Sequence, residues 1–131
     1  MKKMNPKTLR EEIEKIEEAY EYMLAYAAQG RLDEGAGTDG AHIRDFLDQF
    51  RKAASSIEAA ISELSSAQPS AGDFFEGFKR ETAVMKSVLN ILLSRENISS
   101  EAIDNTNGLI SARAYLTSLF FIDKVVLSAE K

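Results

Sequence analysis

Four stretches of this chain place apolar residues alternately four and three positions apart, and no other feature constrains the fold as tightly. Leu9, Ile13, Ile16, Tyr20, Met23 and Ala27 step 4-3-4-3-4, and Ile43, Leu47, Phe50, Ala54, Ile57, Ile61 and Leu64 step 4-3-4-3-4-3. Phe75, Phe78, Thr82, Met85, Leu89 and Leu92 form a third series, and Leu109, Ala112, Leu116 and Leu119 form a fourth. Residues at this spacing lie along one side of an α-helix. A helix with a single apolar stripe is marginal alone in water and must bury that stripe against other elements. No segment alternates with period two over a strand's length. The expectation is therefore an all-α fold, an up-down-up-down four-helix bundle in one domain of 131 residues, with helices near 6–29, 39–67, 72–95 and 100–129.

Local signals set the helix ends. Asn5 before Pro6 joins a capping side chain to a residue preset for the first helical position. Gly30 is a natural stop. Thr38 or Asp39 is a candidate cap for the second helix, which Pro69 and its neighbouring serines end. Ser70 or Asp73 is the candidate cap of the third helix, and Ser99 or Ser100 of the fourth. Gly77 costs about 1 kcal/mol inside a helix, so a loose first turn is expected there. The DNTNG stretch, 104–108, is a poor helix former and invites a break near Gly108, leaving Leu109 to Leu127 as the strong part. From Leu116 onward this last helix is apolar nearly all round, which marks a central helix or one with a second partner.

Composition removes several functions. The chain has no cysteine, and therefore no disulfide, thiolate metal ligand or cysteine nucleophile. Its net charge is −5, with basic residues scattered among acids, so nucleic-acid binding is not expected. No run of about 18 apolar residues occurs, and the two lysines near the start lead into no apolar h-region. Neither membrane insertion nor secretion is expected, and a cytoplasmic location is.

The segment GAGTDG, 35–40, matches G-x-G-x-x-G. A dinucleotide site needs a strand feeding the glycine turn, and here a heptad helix precedes it. It also lacks the Lys-Ser or Lys-Thr of a P-loop. Counted from Asp33 as a calcium loop, its third and fifth positions are glycines and its twelfth is Arg44 rather than glutamate. The segment reads as a connection of about ten residues where two to eight are usual. Its acids, Asp33, Glu34 and Asp39, are the candidate contacts of a recognition loop.

His42 is the only histidine. It is expected in the first turn of the second helix, exposed. No metal site follows, because a di-iron bundle needs two Glu-x-x-His pairs and this chain has none. Histidine phosphotransfer domains are also small acidic four-helix bundles, and AHIRDF is loosely similar to their His-x-x-Lys-Gly neighbourhood. Arg44 follows two residues after the histidine, where that pattern has lysine three after, and Phe46 stands where a small residue admits the kinase. His42 is carried as a phosphoacceptor candidate on those terms.

Polar residues that interrupt the stripes are the remaining candidates. Glu81 lies among Phe74, Phe78, Met85 and Val88, and Arg113 beside Leu109, Leu116 and Phe120. Equal rise along a hairpin about residues 97 and 98 sets Glu81 level with Arg113, and the two are expected to face each other as a partly buried ion pair. Asp123 falls level with the start of the first helix, where Arg10 or Lys7 would answer it. These charges and Tyr20, with Tyr22, Tyr26 and Tyr115 near, either set helix register or line a polar small-molecule pocket.

The expected function is a non-catalytic helical interaction module, a homo-oligomer or a binder of a protein partner. Phe121, Ile122 and Val125 cannot all face the core that takes Leu116 and Phe120, and this surplus suggests a dimer. A small-molecule-binding bundle around Glu81 and Arg113 is the alternative, and phosphotransfer at His42 a further one. No catalytic residue, cofactor or metal is implied.

Overall fold

The computed structural model describes residues 5–35, 42–67 and 69–127. The chain is all-α. Five α-helices lie among the described residues: α1 Pro6–Ala27, α2 Ile43–Ala67, α3 Gly72–Leu93, α4 Ser100–Asn107 and α5 Ile110–Phe121. A 3₁₀ turn, Pro69–Ala71, leads into α3, and a π-helical segment, Ile122–Val126, continues α5.

The fourth expected helix is therefore two helices, a correction to the four-helix count. Residue Leu109, at the N-cap of α5, is extended (φ −65°, ψ 134°), and its amide reaches only three residues back to Thr106 O. Asp, Asn and Thr side chains compete for nearby backbone groups, and Gly108 adds backbone freedom, so a continuous helix is weakest here.

The starts and stops follow local chemistry. Asn5 Oδ1 accepts from the Thr8 amide at 2.8 Å, and Pro6 opens α1. Gly30, at φ 65°, turns the chain away from α1 in a conformation L side chains avoid. Ser99, rather than Ser100, caps α4, accepting from Ala102 N at 3.1 Å. The cap of α3 is Ala71, with no side-chain bond, so neither Ser70 nor Asp73 serves. Gly77 sits inside regular helix and opens no loose turn. The expected capping of α2 by Thr38 or Asp39 lies outside the described residues.

The heptad stripes supply the core. Every stripe residue of α3 is buried, as are Leu9, Ile13, Ile16 and Met23 of α1 and Ile43 to Ile61 of α2, while Tyr20, Ala27 and Leu64 are partly buried. α1 packs on α2 and α4, and α3 packs on α2 and α5. An aromatic file runs from the surface into the core: Phe121 to Phe74 at 5.1 Å, Phe74 to Phe78 at 6.5 Å, Phe78 to Tyr115 at 5.3 Å and Tyr115 to Phe50 at 6.1 Å between ring centroids.

Tyr115 carries a polar atom into this file. Its hydroxyl is buried without a hydrogen bond of standard geometry, although Thr82 Oγ1, which donates to Phe78 O at 2.8 Å, lies beside it. Burial drives its pKa far above the ordinary tyrosine value, the Thr82 hydroxyl offsetting part of that rise. An orphaned buried hydroxyl costs about 1 to 3 kcal/mol. Tyr115→Phe is accordingly expected to raise stability by about 1 kcal/mol in urea titration. A loss of that size would instead assign the hydroxyl a favourable partner.

Candidate functional site

Two polar regions stand out, one closed and one open. The closed one forms where residues 31–35 cross the α3–α4 connection. Arg44, in the first turn of α2, forks onto Glu34, with Nε to Oε1 and Nη2 to Oε2 both at 2.9 Å. The same guanidinium donates to Leu93 O at 3.1 Å and to Arg95 O. Glu34 Oε2 also accepts from Ile98 N at 2.9 Å. Asn97 completes the crossing, donating to Leu32 O at 2.8 Å and accepting from Glu34 N at 3.1 Å.

A second set of bonds ties this crossing to α1. Ser100 Oγ donates to Tyr26 O at 2.6 Å and accepts from Arg31 N at 2.7 Å, and Ser100 N donates to Arg31 O at 2.9 Å. The Tyr26 hydroxyl donates to Ile98 O. Burial, then the nearby Glu34 charge, hold its pKa above the ordinary value, so it stays a donor. Both Glu34 oxygens are occupied, so the carboxylate is neither a free base nor a free partner contact. That corrects the reading of Glu34 as a recognition acid. Asp33 is exposed and accepts from Gly35 N at 3.0 Å, while Asp39 lies outside the described residues.

The open region is a groove of about 600 Å³ between the end of α1 and the α4–α5 break. Tyr20, Leu24, Asp104, Asn107, Leu109 and Arg113 are among its walls. Asn107 is buried, its Nδ2 donating to Met23 O at 3.3 Å while its Oδ1 has no partner. Arg113 is exposed and makes no ion pair among the described residues.

The sequence candidates thus separate. Glu81 does not face Arg113: it accepts from Ser118 Oγ at 2.8 Å on the α3 side of α5. Ser118 stands five residues beyond the expected partner, and Arg113 lies off the buried stripe Ala112, Leu116 and Leu119. Ala112, Tyr115, Leu116 and Leu119 turn inward, and Leu109, Arg113 and Phe120 turn outward. Arg113 shares its groove with Tyr20 instead. Asp123, in the π segment, accepts from Arg10 Nε at 3.1 Å, with Lys124 Nζ at 3.5 Å from its other oxygen. Asp123 and Glu81 are both remote from the groove walls.

His42 directly precedes α2 rather than lying in its first turn, 3.6 Å from Asp45, and its amide donates to Tyr22 OH at 2.9 Å. Phe46 stacks on Tyr22 at 4.3 Å, and the His42 side chain is 63% exposed. Among the described residues no three His, Asp or Glu side chains are placed to hold a metal ion, and no helix is long and apolar enough to cross a membrane.

Arg44, Asn97, Ser100 and Asn107 were not singled out as site residues from sequence. Their roles arise from contacts with residues tens of positions away, and the one local signal was the paired serines at 99 and 100.

Fold and sites together define an all-α protein of five described helices, with one ion-paired loop crossing and one open polar groove. The chain matches no protein-family model, and no curated protein or solved structure matches it.

Proposed function

We propose that this protein is a non-catalytic helical interaction module that works as a homodimer joined along α5. The observation that carries this is the outer face of α5, where Ile110 is 84% exposed and Phe121 45%. Ala114 and Thr117 complete a 4-3-4 stripe between them, pointing away from the buried Ala112, Tyr115, Leu116 and Leu119.

A second copy fits this face better than an arbitrary partner. The stripe is free of charge in a chain of net charge −5, so two copies can meet along it without setting acid against acid. Its spacing is self-complementary. In an antiparallel pair with a two-fold axis between Ala114 and Thr117, Ile110 meets the partner's Phe121, and the small residues let the helices approach at the centre. The Thr117 hydroxyl is turned back onto Arg113 O at 2.8 Å and leaves its methyl group for packing. One helix of about 18 Å is short for the roughly 1,000 Å² a stable interface needs. Val125 (51% exposed), about one turn beyond Phe121, extends the apolar surface.

The scaffold is read as an up-down-up-down bundle whose fourth limb is α4 and α5 in sequence. Antiparallel contacts support it: Gln49 with Lys15 and Glu18, Lys86 with Glu58, Ser118 with Glu81, and Arg10 with Asp123.

Sedimentation velocity tests the dimer. The expected mass is twice the 14.5 kDa of one chain, and Ile110→Lys is expected to weaken association at least tenfold with helicity unchanged. A wild-type monomer at high protein concentration would remove the proposal.

A further inference from the structure

We infer that the groove between α1 and the α4–α5 break binds a small organic monocarboxylate with an aliphatic body, of the size of an acylated amino acid. This site does not depend on the dimer, because its walls lie on the α1 side of α5 and leave the outer stripe untouched.

Several features of the groove bear on the ligand. Arg113 has a planar guanidinium with no acid paired to it, and such a fork prefers a carboxylate taken bidentately. The adjacent start of α5 has no side-chain cap, so its first amide groups add a positive end beside the arginine. Asn107 lines the same groove, its Nδ2 held by Met23 O at 3.3 Å. Leu24, 46% exposed, and Leu109, 40% exposed, are apolar walls for an aliphatic body, with Tyr20 beside them. Asp104 sets the limit on charge: it lines the groove without an ion pair among the described residues and disfavours a second negative charge, while tolerating an N–H or ammonium. A volume of about 600 Å³ lies within the usual range for small-ligand sites.

The helix break supports this placement. It interrupts what would otherwise be one long helix, and it brings Asn107, Leu109 and the start of α5 to the groove together. The sequence-based pocket around Glu81 is replaced here by one around Arg113, Asn107 and Tyr20.

The probe is N-acetyl-L-leucine at neutral pH, titrated into ¹⁵N-labelled protein, with its methyl ester as the uncharged control. Saturable shifts are expected at the amides of Leu24, Gly108, Leu109 and Arg113, with the ester at least tenfold weaker. Arg113 is exposed, so Arg113→Gln should keep the fold, checked by its unchanged amide spectrum elsewhere, and weaken binding at least tenfold. Arg113→Lys should fall between. A Thr117→Lys protein, altered at the centre of the outer stripe and away from the groove walls, should be monomeric and bind as wild type does, which separates this site from the dimer. Shifts that are absent, that do not saturate, that are equal for acid and ester, or that survive Arg113→Gln would each overturn the inference.

Discussion

Arg44→Met is expected to destabilise the fold by about 2 to 3 kcal/mol in urea titration. The substitution keeps a long apolar stem but removes every donor. Glu34, whose side chain is only 16% exposed, loses its fork, and the Leu93 and Arg95 carbonyls lose theirs. Breaking one side of such a pair leaves the other charge poorly solvated, which costs more than the intact pair contributes. The arginine is 36% exposed, and solvent screening holds the figure below that of a fully buried pair. Hydrogen exchange should report the effect locally, with faster exchange at Ile98 and Ser100, whose amides are held by this crossing. Pairing Arg44→Met with Glu34→Leu should cost less than the sum of the two single changes, because the stranded charge is gone. A change under about 0.5 kcal/mol would class the crossing with ordinary surface ion pairs.

Phe78→Ala is expected to have the larger effect, about 3 to 5 kcal/mol. Phe78 is fully buried and stacks on Phe74 at one side and Tyr115 at the other. Removing its ring opens a void that two helices flank and that neither can fill without moving the other. Most domains of this size have about 5 to 15 kcal/mol of stability, so a large part of the total would be lost. Phe74→Ala, at a partly buried position, should cost clearly less. Equal costs would mean that the aromatic file is not the centre of the core. The midpoint of thermal unfolding should rank the variants in the same order as urea.

Much of this organisation was legible in the residues. The 4-3 spacing marked the buried faces of α1, α2 and α3 almost residue by residue, because helical period and burial are coupled by geometry alone. The Asn5–Pro6 start was readable because capping is local. The Arg10–Asp123 contact was readable as well, since equal rise per residue in antiparallel helices predicts level. The weak stretch Asp104 to Gly108 also marked the break in the fourth limb, where α4 ends at Asn107 and α5 begins at Ile110.

The Glu81–Arg113 pairing shows where such reasoning ends. Level along a hairpin depends on equal, unbroken rise in both helices, and the stop and restart at Leu109 removes that condition: Ser118, five residues beyond Arg113, is the residue on Glu81. The facing side depends on rotation at about 100° per residue, and the stripe Ala112, Leu116 and Leu119 puts Arg113 off the buried face. Glu34 was misread for a related reason. A carboxylate in a long connection looks like a contact for a partner until Arg44 and Ile98 are seen to take both its oxygens.

Period, composition and capping, all properties of neighbouring residues, were thus sufficient to establish that this chain is helical, where most of its buried stripes lie and which chemistries it lacks. The partner of Glu81, the closing of the Glu34–Arg44 crossing and the groove beside Asn107 and Arg113 were decided only when the helices packed. Each depends on residues far apart in sequence meeting at one angle, and no local pattern encodes that angle.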